Sequence, residues 1–142
     1  MRPLDLVEYL EDANALLYDT PVVGAVVYHS TDLGKSWRKT NEGYLDDLFF
    51  SYGYYFGQIR VSPHNPDKLY LLGVPVLRSD DGGATFQSIN GDNVHVDHHA
   101  LWLSPDRDAH LILGNDGGVN ISYDDGEHWS KCNNPPVGQF YT

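Results

Sequence analysis

The residues with the greatest potential for chemistry form one short segment, which contains His95, Asp97, His98 and His99. In a β-strand alternate side chains share a face, so we expect His98 to face away from the other three. Two imidazoles beside a carboxylate can bind zinc, or can form a hydrogen-bonded group in which the carboxylate orients a histidine. Because no fourth ligand is identifiable, we predict no metal and no other cofactor, and we predict that the three histidines bind a ligand.

A second candidate is Asp116, in a turn formed by residues 115–118 (Asn-Asp-Gly-Gly). Asp-Gly is a common hairpin turn, so a purely structural role is one interpretation. The other is catalysis, because a carboxylate in a turn at a strand end is well placed for it. Inverting hydrolysis of a glycosidic bond needs two carboxylates roughly 6.5–9.5 Å apart. We predict Asp116 and Asp97 as catalytic residues, with Asp46, Asp47 or a residue outside this chain as other partners of Asp116.

A third candidate is the aromatic-rich segment 44–56, in which seven of thirteen residues are Tyr or Phe. Tyrosine rings stack on sugar rings, and their hydroxyl groups bond sugar hydroxyls. Alternatively, the rings fill the space between neighbouring sheets, because soluble proteins seldom expose a large apolar patch. We expect about half of the rings to do so, and we predict Tyr52, Tyr54 and Tyr55 as ligand-binding residues.

An internal repeat indicates which elements position these candidates. The pattern Ser-x-Asp-x-Gly-x-x-aromatic begins at residues 30, 79 and 122, and an Asn follows four residues after each aromatic residue. We call these copies the first, second and third turn motifs. Their repeated residues are Ser30, Asp32, Gly34 and Trp37; Ser79, Asp81, Gly83 and Phe86; and Ser122, Asp124, Gly126 and Trp129.

The residue types of the turn motif predict a structural role. An Asp accepts hydrogen bonds from the backbone N–H groups of a turn, and a Gly suits a position with positive φ. The aromatic residue is expected to pack against its sheet. A carboxylate that caps a turn has its lone pairs committed, so we predict no chemistry for the motif.

A repeat of 40–50 residues with short alternating strands is typical of β-propeller blades. We predict an all-β fold, a partial propeller of about two and a half four-stranded antiparallel blades. Residues 57–91 and 95–134 are predicted as full blades, 1–41 as an incomplete blade, 42–56 as a connection and 135–142 as the start of a further blade. Residues 6–17 also fit a short helix.

A propeller needs roughly four to eight blades to close its ring. We therefore expect the chain to be part of a longer protein, or to self-associate through its open blade faces.

Successive turns of a blade alternate between its two ends, so Asp116 is expected at the end opposite the turn motifs. The histidine strand is expected beside the strand before Asp116, within reach of this turn.

The turn motif resembles the Asp-box (BNR) repeat of sialidases, xyloglucanase-type glycoside hydrolases, sortilin-type ectodomains and photosystem assembly factors. With residues 52–60, 94–102 and 114–122, the chain is similar to large bacterial Asp-box proteins labelled glycosyl hydrolases. The turn at Asp116 is similar to the Asp-x-Gly-Gly turn that bears the catalytic base in xyloglucanase-type hydrolases. Gln-Ile-Arg60 falls short of the sialidase arginine motif, so sialidase activity is not expected.

This resemblance implies binding or hydrolysis of a polysaccharide or oligosaccharide, in an extracellular or periplasmic location. The alternative is a non-catalytic, sortilin-like propeller that binds a protein or peptide.

Composition narrows the expected partners. The 142 residues include 20 acidic and nine basic side chains, which give a net charge of −11. This negative charge disfavours the binding of nucleic acid and of anionic lipid. The apolar stretch at residues 22–28 is too short to span a bilayer. Cys132 is the single cysteine, so no intrachain disulfide is possible.

Overall fold

The computed structural model of the protein describes residues 24–50 and 55–132. All regular elements in these ranges are β-strands, so the all-β prediction is confirmed. The possible helix at residues 6–17 and the predicted start of a further blade at 135–142 lie outside the described ranges. Within them, no helix is long and apolar enough to cross a membrane.

In the described ranges, ten strands form three antiparallel sheets that follow one another along the chain. The first sheet contains β1 (Tyr28–His29) and β2 (Arg38–Lys39). The second contains β3 (Gln58–Val61), β4 (Leu69–Leu72), β5 (Val76–Ser79) and β6 (Gln87–Ser88). The third contains β7 (His98–Leu103), β8 (Leu111–Asn115), β9 (Gly118–Ser122) and β10 (Ser130–Cys132). In both four-stranded sheets each strand pairs with the next in sequence.

The second sheet lies between two hydrophobic clusters, and β4 contributes residues to both. Leu69 and Leu71 pack with Val27 and Leu48 on the side of the first sheet. The other cluster lies between the second and third sheets and consists of Tyr70, Leu72, Val76, Ile89, Val94, Leu101, Leu111, Leu113 and Trp129. Because both faces of β4 are covered, all four of its residues are apolar and buried, without the alternation of a half-exposed strand.

Each of the last two turn motifs contacts the sheet that precedes it. A Cβ atom on Gly126 would lie 2.7 Å from the side chain of Ile89, and one on Gly83 would lie 2.7 Å from Thr40. The ring of Trp129 is buried, and its Nε1 donates a hydrogen bond to the Ile89 carbonyl over 2.8 Å. Glycine is therefore required where each turn touches the preceding sheet.

Trp37 departs from the expected packing. Its side chain is 63% exposed, and its Nε1 bonds the carbonyl of Gly34 in its own turn. Phe86 and Trp129 pack on the preceding sheet, whereas no sheet precedes the first one in the described part of the chain. The expectation that Trp37 packs against its sheet is therefore wrong.

A polar contact also joins the second and third sheets. The Asp125 carboxylate bonds Lys68 Nζ over 2.6 Å and the Tyr70 hydroxyl, and Arg78 Nη1 donates to the Asp125 carbonyl over 2.8 Å. The charged side chains are only 11–14% exposed. Burial, and then the bond to Asp125, raise the pKa of Tyr70, so its hydroxyl stays a neutral donor. Asp125 thus holds the third turn motif against the second sheet.

Replacing Asp125 by alanine should lower the free energy of unfolding by about 2 kcal/mol, because it leaves Lys68 with a much weaker partner. The loss should be below the roughly 3–5 kcal/mol of a fully buried pair, since Arg78 keeps Asp80 and Glu127. Urea titration measures this loss. In the control Asp80→Ala, the same arginine loses a carboxylate that is exposed to solvent, so the loss of unfolding free energy should stay below about 1 kcal/mol. Equal losses would contradict a joining role for Asp125.

Candidate functional site

The three turn motifs share one set of hydrogen bonds. The Ser hydroxyl donates to the Asp carboxylate over 2.8–2.9 Å and accepts the Gly N–H over 2.8–2.9 Å. The carboxylate also accepts the backbone N–H four residues later at 2.9 Å. Its second oxygen bonds the side chain of that same residue at 2.6–2.7 Å. The predicted turn hydrogen bonds are therefore present, and the three glycines have φ between +83° and +89°.

These bonds lower the pKa of Asp32, Asp81 and Asp124 to about 2. The largest cause is a side-chain hydroxyl bond for Asp32 and Asp81, and the His128 backbone N–H for Asp124. The carboxylates are anionic at neutral pH, and their oxygens are occupied by the turn. This geometry supports a structural role for the motif.

The Ser79 hydroxyl should contribute more to stability than the hydroxyl of Ser30. Ser79→Ala should lower the free energy of unfolding by about 1–3 kcal/mol, because the buried Gly83 N–H loses its acceptor. Ser30→Ala removes the same bonds from an exposed turn, where water replaces them, and should cost less than about 1 kcal/mol. Chemical denaturation compares the two variants. A larger loss for Ser30→Ala would contradict this assignment.

The Asp81 charge should stabilise the fold only above acidic pH. Its pKa is 3.8 in the unfolded reference and about 2 in the folded protein, so the contribution is fully present above about pH 4 and is lost as the pH falls towards 2. The difference in melting temperature between the wild type and Asp81→Asn should therefore shrink between pH 5 and pH 2. A constant difference over this range would show that the Asp81 charge is not linked to folding.

At the opposite end of the third sheet, Asn115 shapes the turn that carries Asp116. Leu111 pairs with Ser122 at one end of the β8–β9 hairpin, and Asn115 pairs with Gly118 at the other, as predicted. Asn115 Oδ1 accepts the N–H of Gly117 over 2.9 Å, an Asx turn that leaves the Asp116 side chain exposed. Sequence analysis did not identify Asn115 as a residue that positions the site.

The histidine segment has a different geometry from the predicted one. β7 begins only at His98, Asp97 has φ of +66°, and a bulge lies between His98 and Ala100. The expectation that His95, Asp97 and His99 share one face of a strand is therefore wrong. The backbone N–H groups of Asp97 and His98 instead bond carbonyls of the second sheet, Val74 and Gly73.

His98 does not reach the surface. It is 1% exposed, and its Nε2 lies 3.2 Å from Asn90 Oδ1 of the second sheet. Burial lowers its pKa to about 4, so it is neutral at pH 7. The prediction that His98 binds a ligand is therefore wrong, because a ligand at the surface cannot touch this buried side chain.

His99 and His95 do lie beside the Asp116 turn. His99 Nε2 is 2.9 Å from Asp116 Oδ1, so the histidine is within reach of this turn, as predicted. A Cβ atom on Gly117 would lie 2.4 Å from His95 Cβ, and only glycine allows this close approach. His95 thus supports the turn from one side, and His99 holds the carboxylate.

Two aromatic rings flank His99. The ring of Phe56 stacks on it at 5.6 Å between centroids, and Tyr55 meets it edge to face at 5.1 Å. Tyr52 and Tyr54, also predicted to bind a ligand, lie outside the described residues. Phe49 packs against the cluster between the first and second sheets, the role expected for about half of these rings. Phe56 was not predicted as a site residue.

Tyr55, Phe56, Asp97 and Asp116 line one open cleft of about 240 Å³, which we call the aromatic cleft. Asp46 and Asp47, the other candidate partners of Asp116, do not line it. Its rings can stack on a flat apolar surface, and its carboxylates can accept hydrogen bonds or a proton. In the described part of the chain, no group of three or more His, Cys, Asp or Glu side chains is placed to hold a metal ion.

Comparison with known proteins assigns no family to this chain. No protein-family model matches it, and no curated protein is significantly similar to it.

Proposed function

We propose that the chain is part of an Asp-box β-propeller that binds a neutral oligosaccharide or polysaccharide in the aromatic cleft and hydrolyses it. The observation that carries this proposal is the meeting of two carboxylates and two aromatic rings in one open cleft. Aromatic faces bind the apolar faces of sugar rings, and paired carboxylates are the groups that cleave glycosidic bonds.

The arrangement of the sheets supports the propeller. Two consecutive four-stranded sheets have the same strand order, and each places its turn motif on the sheet before it. Repetition of one such contact around an axis is how blades form a propeller. In both sheets the turn motif follows the third strand, so the motifs occupy one end and leave the other end to the aromatic cleft.

In the proposed mechanism, Asp116 is the general base. His99 Nε2 lies 2.9 Å from Oδ1 and, when protonated at this nitrogen, donates a hydrogen bond that orients the carboxylate. Oδ2 then takes the proton of a water molecule that attacks the anomeric carbon. Asp97, which lines the same cleft, is the general acid: its protonated carboxyl group gives a proton to the leaving oxygen as the glycosidic bond breaks.

The charge of the protein favours a neutral substrate. The net charge of −11 and the Asp116 carboxylate in the cleft repel an anionic sugar, whereas neutral sugars feel no such repulsion.

A separate groove favours the second candidate function, the binding of a protein or peptide. It has a volume of about 350 Å³ and lies between the first and second sheets, where Val27, Phe49 and Leu71 form part of an apolar lining. Its rim includes Ile59 of β3, an edge strand whose four residues are all exposed. An extended peptide would pair with such an edge and place side chains in the groove.

Calorimetric titration with neutral β-1,4-glucan oligosaccharides distinguishes the two functions. Tyr55→Ala should weaken sugar binding by roughly tenfold, the effect of losing one stacked ring. Asp116→Asn should keep the affinity and abolish the release of reducing ends. The matched controls are Tyr44→Ala and Asp106→Asn, exposed side chains that do not line the cleft, and both should behave as wild type.

Unchanged binding and hydrolysis in Tyr55→Ala and Asp116→Asn would reject the aromatic cleft as the site. Binding of an extended peptide that is lost on Ile59→Lys would then favour the second function.

A further inference from the structure

The contact between consecutive sheets uses the same sequence positions each time. The glycine of a turn motif touches the residue that lies three positions after the aromatic residue of the preceding motif. Gly83 touches Thr40, three residues after Trp37, and Gly126 touches Ile89, three residues after Phe86. The next residue of this series is Cys132, three residues after Trp129 at the end of β10.

Among the described residues, each half of this contact also occurs once without its counterpart. The first turn motif presents Leu33, which is fully exposed, and the uncovered ring of Trp37. The third sheet presents the face opposite to its core, which we call the open face. Trp102, Ile112 and Ile121 lie side by side on it across β7, β8 and β9. The corresponding face of the second sheet is buried under the third turn motif.

The chemistry of these two surfaces matches position by position. In the contact within the chain, Asp125 of the third motif meets Lys68, Tyr70 and Arg78 of the second sheet. Leu33 occupies the position of Asp125 in the first motif. On the third sheet, His110, Ile112 and Ile121 occupy the positions of Lys68, Tyr70 and Arg78. An acid opposite two bases is thus replaced by a leucine opposite two isoleucines.

We propose that a second copy of this chain docks its first turn motif on the open face of the third sheet. Leu33 of one copy packs on Ile112 and Ile121 of the other, and Trp37 leaves the carbonyl of Gly34 and bonds the carbonyl of Cys132. The same geometry places Trp129 on Ile89 within the chain. Because the two surfaces differ, the interface is head-to-tail and adds copies in one direction, towards a ring or a chain of copies.

Sedimentation velocity of the full chain tests this interface. The wild type should form larger species as its concentration rises. Trp37→Ala and Ile121→Arg should each raise the dissociation constant at least about tenfold, since each removes one half of the contact. Arginine is chosen at 121 because the second sheet carries Arg78 at the equivalent position, so the fold accommodates it. Tyr44→Ala, which removes an exposed ring outside both surfaces, should assemble as the wild type does.

A mixture of the two variants gives the decisive result. Trp37→Ala keeps the open face, and Ile121→Arg keeps the first turn motif, so one of each should pair. The mixture should stop at a dimer, because the two remaining surfaces of that dimer are both altered. This pairing also shows that both variants are folded.

Three results would overturn the proposal: a wild type that stays monomeric at every concentration, variants that assemble as the wild type does, or variants that fail to pair. A wild type that is monomeric but binds a different protein carrying the same turn motif would assign the open face to that partner instead of a second copy.

Discussion

The close contact between a turn motif and the preceding sheet is the constraint on which the structure depends. A Cβ atom on Gly126 would lie 2.7 Å from the Ile89 side chain, and the φ of +88° at this position also favours glycine. The backbone can make this approach because the Ser and Asp of the motif bond the turn internally and hold two consecutive residues at positive φ. The hydrogen bonds of the motif thus serve the packing of sheets, and both oxygens of each carboxylate are engaged within the turn.

This constraint also restricts which end of the third sheet can carry a functional site. Since β8 and β9 form a hairpin, the turn motif occupies one end of the sheet and the turn of Asp116 the other. The other end is constrained as well, since Gly117 lies against His95, but the side chain of Asp116 in the same turn stays exposed. An exposed side chain at that end can therefore vary without disturbing the contact at the turn motif.

The repeated, local features were predictable from sequence because they depend on neighbours within a few residues. Asp32, Asp81 and Asp124 are examples, since every bond of their carboxylates is to a residue within four positions. The faces of the histidine segment were not predictable in this way. Asp97 adopts positive φ and a bulge follows His98, and both depend on where the second sheet offers its carbonyls.

Asp125 shows a signal that could have been used. It occupies the position at which the second motif has Gly82 and the first has Leu33. A position whose residue type changes so much within a repeat is one at which the residue is matched to the surface that it contacts. Comparing Lys68 and Arg78 with their counterparts on the third sheet would have predicted the ion pair. The exposure of Trp37 could not be found this way, because all three copies have an aromatic residue at this position and only packing on a preceding sheet buries it.

The aromatic cleft is itself a product of the contact between sheets. Tyr55 and Phe56 lead into the second sheet, whereas Asp97 and Asp116 belong to the third. Between them, the backbone of His98 bonds Gly73, and its side chain lies against Asn90, so the segment that carries His99 is fixed to both sheets. The distance between rings and carboxylates is therefore set by how the third sheet packs on the second. A small shift at Gly126, at the far end of the sheets, would move the two halves of the cleft relative to each other.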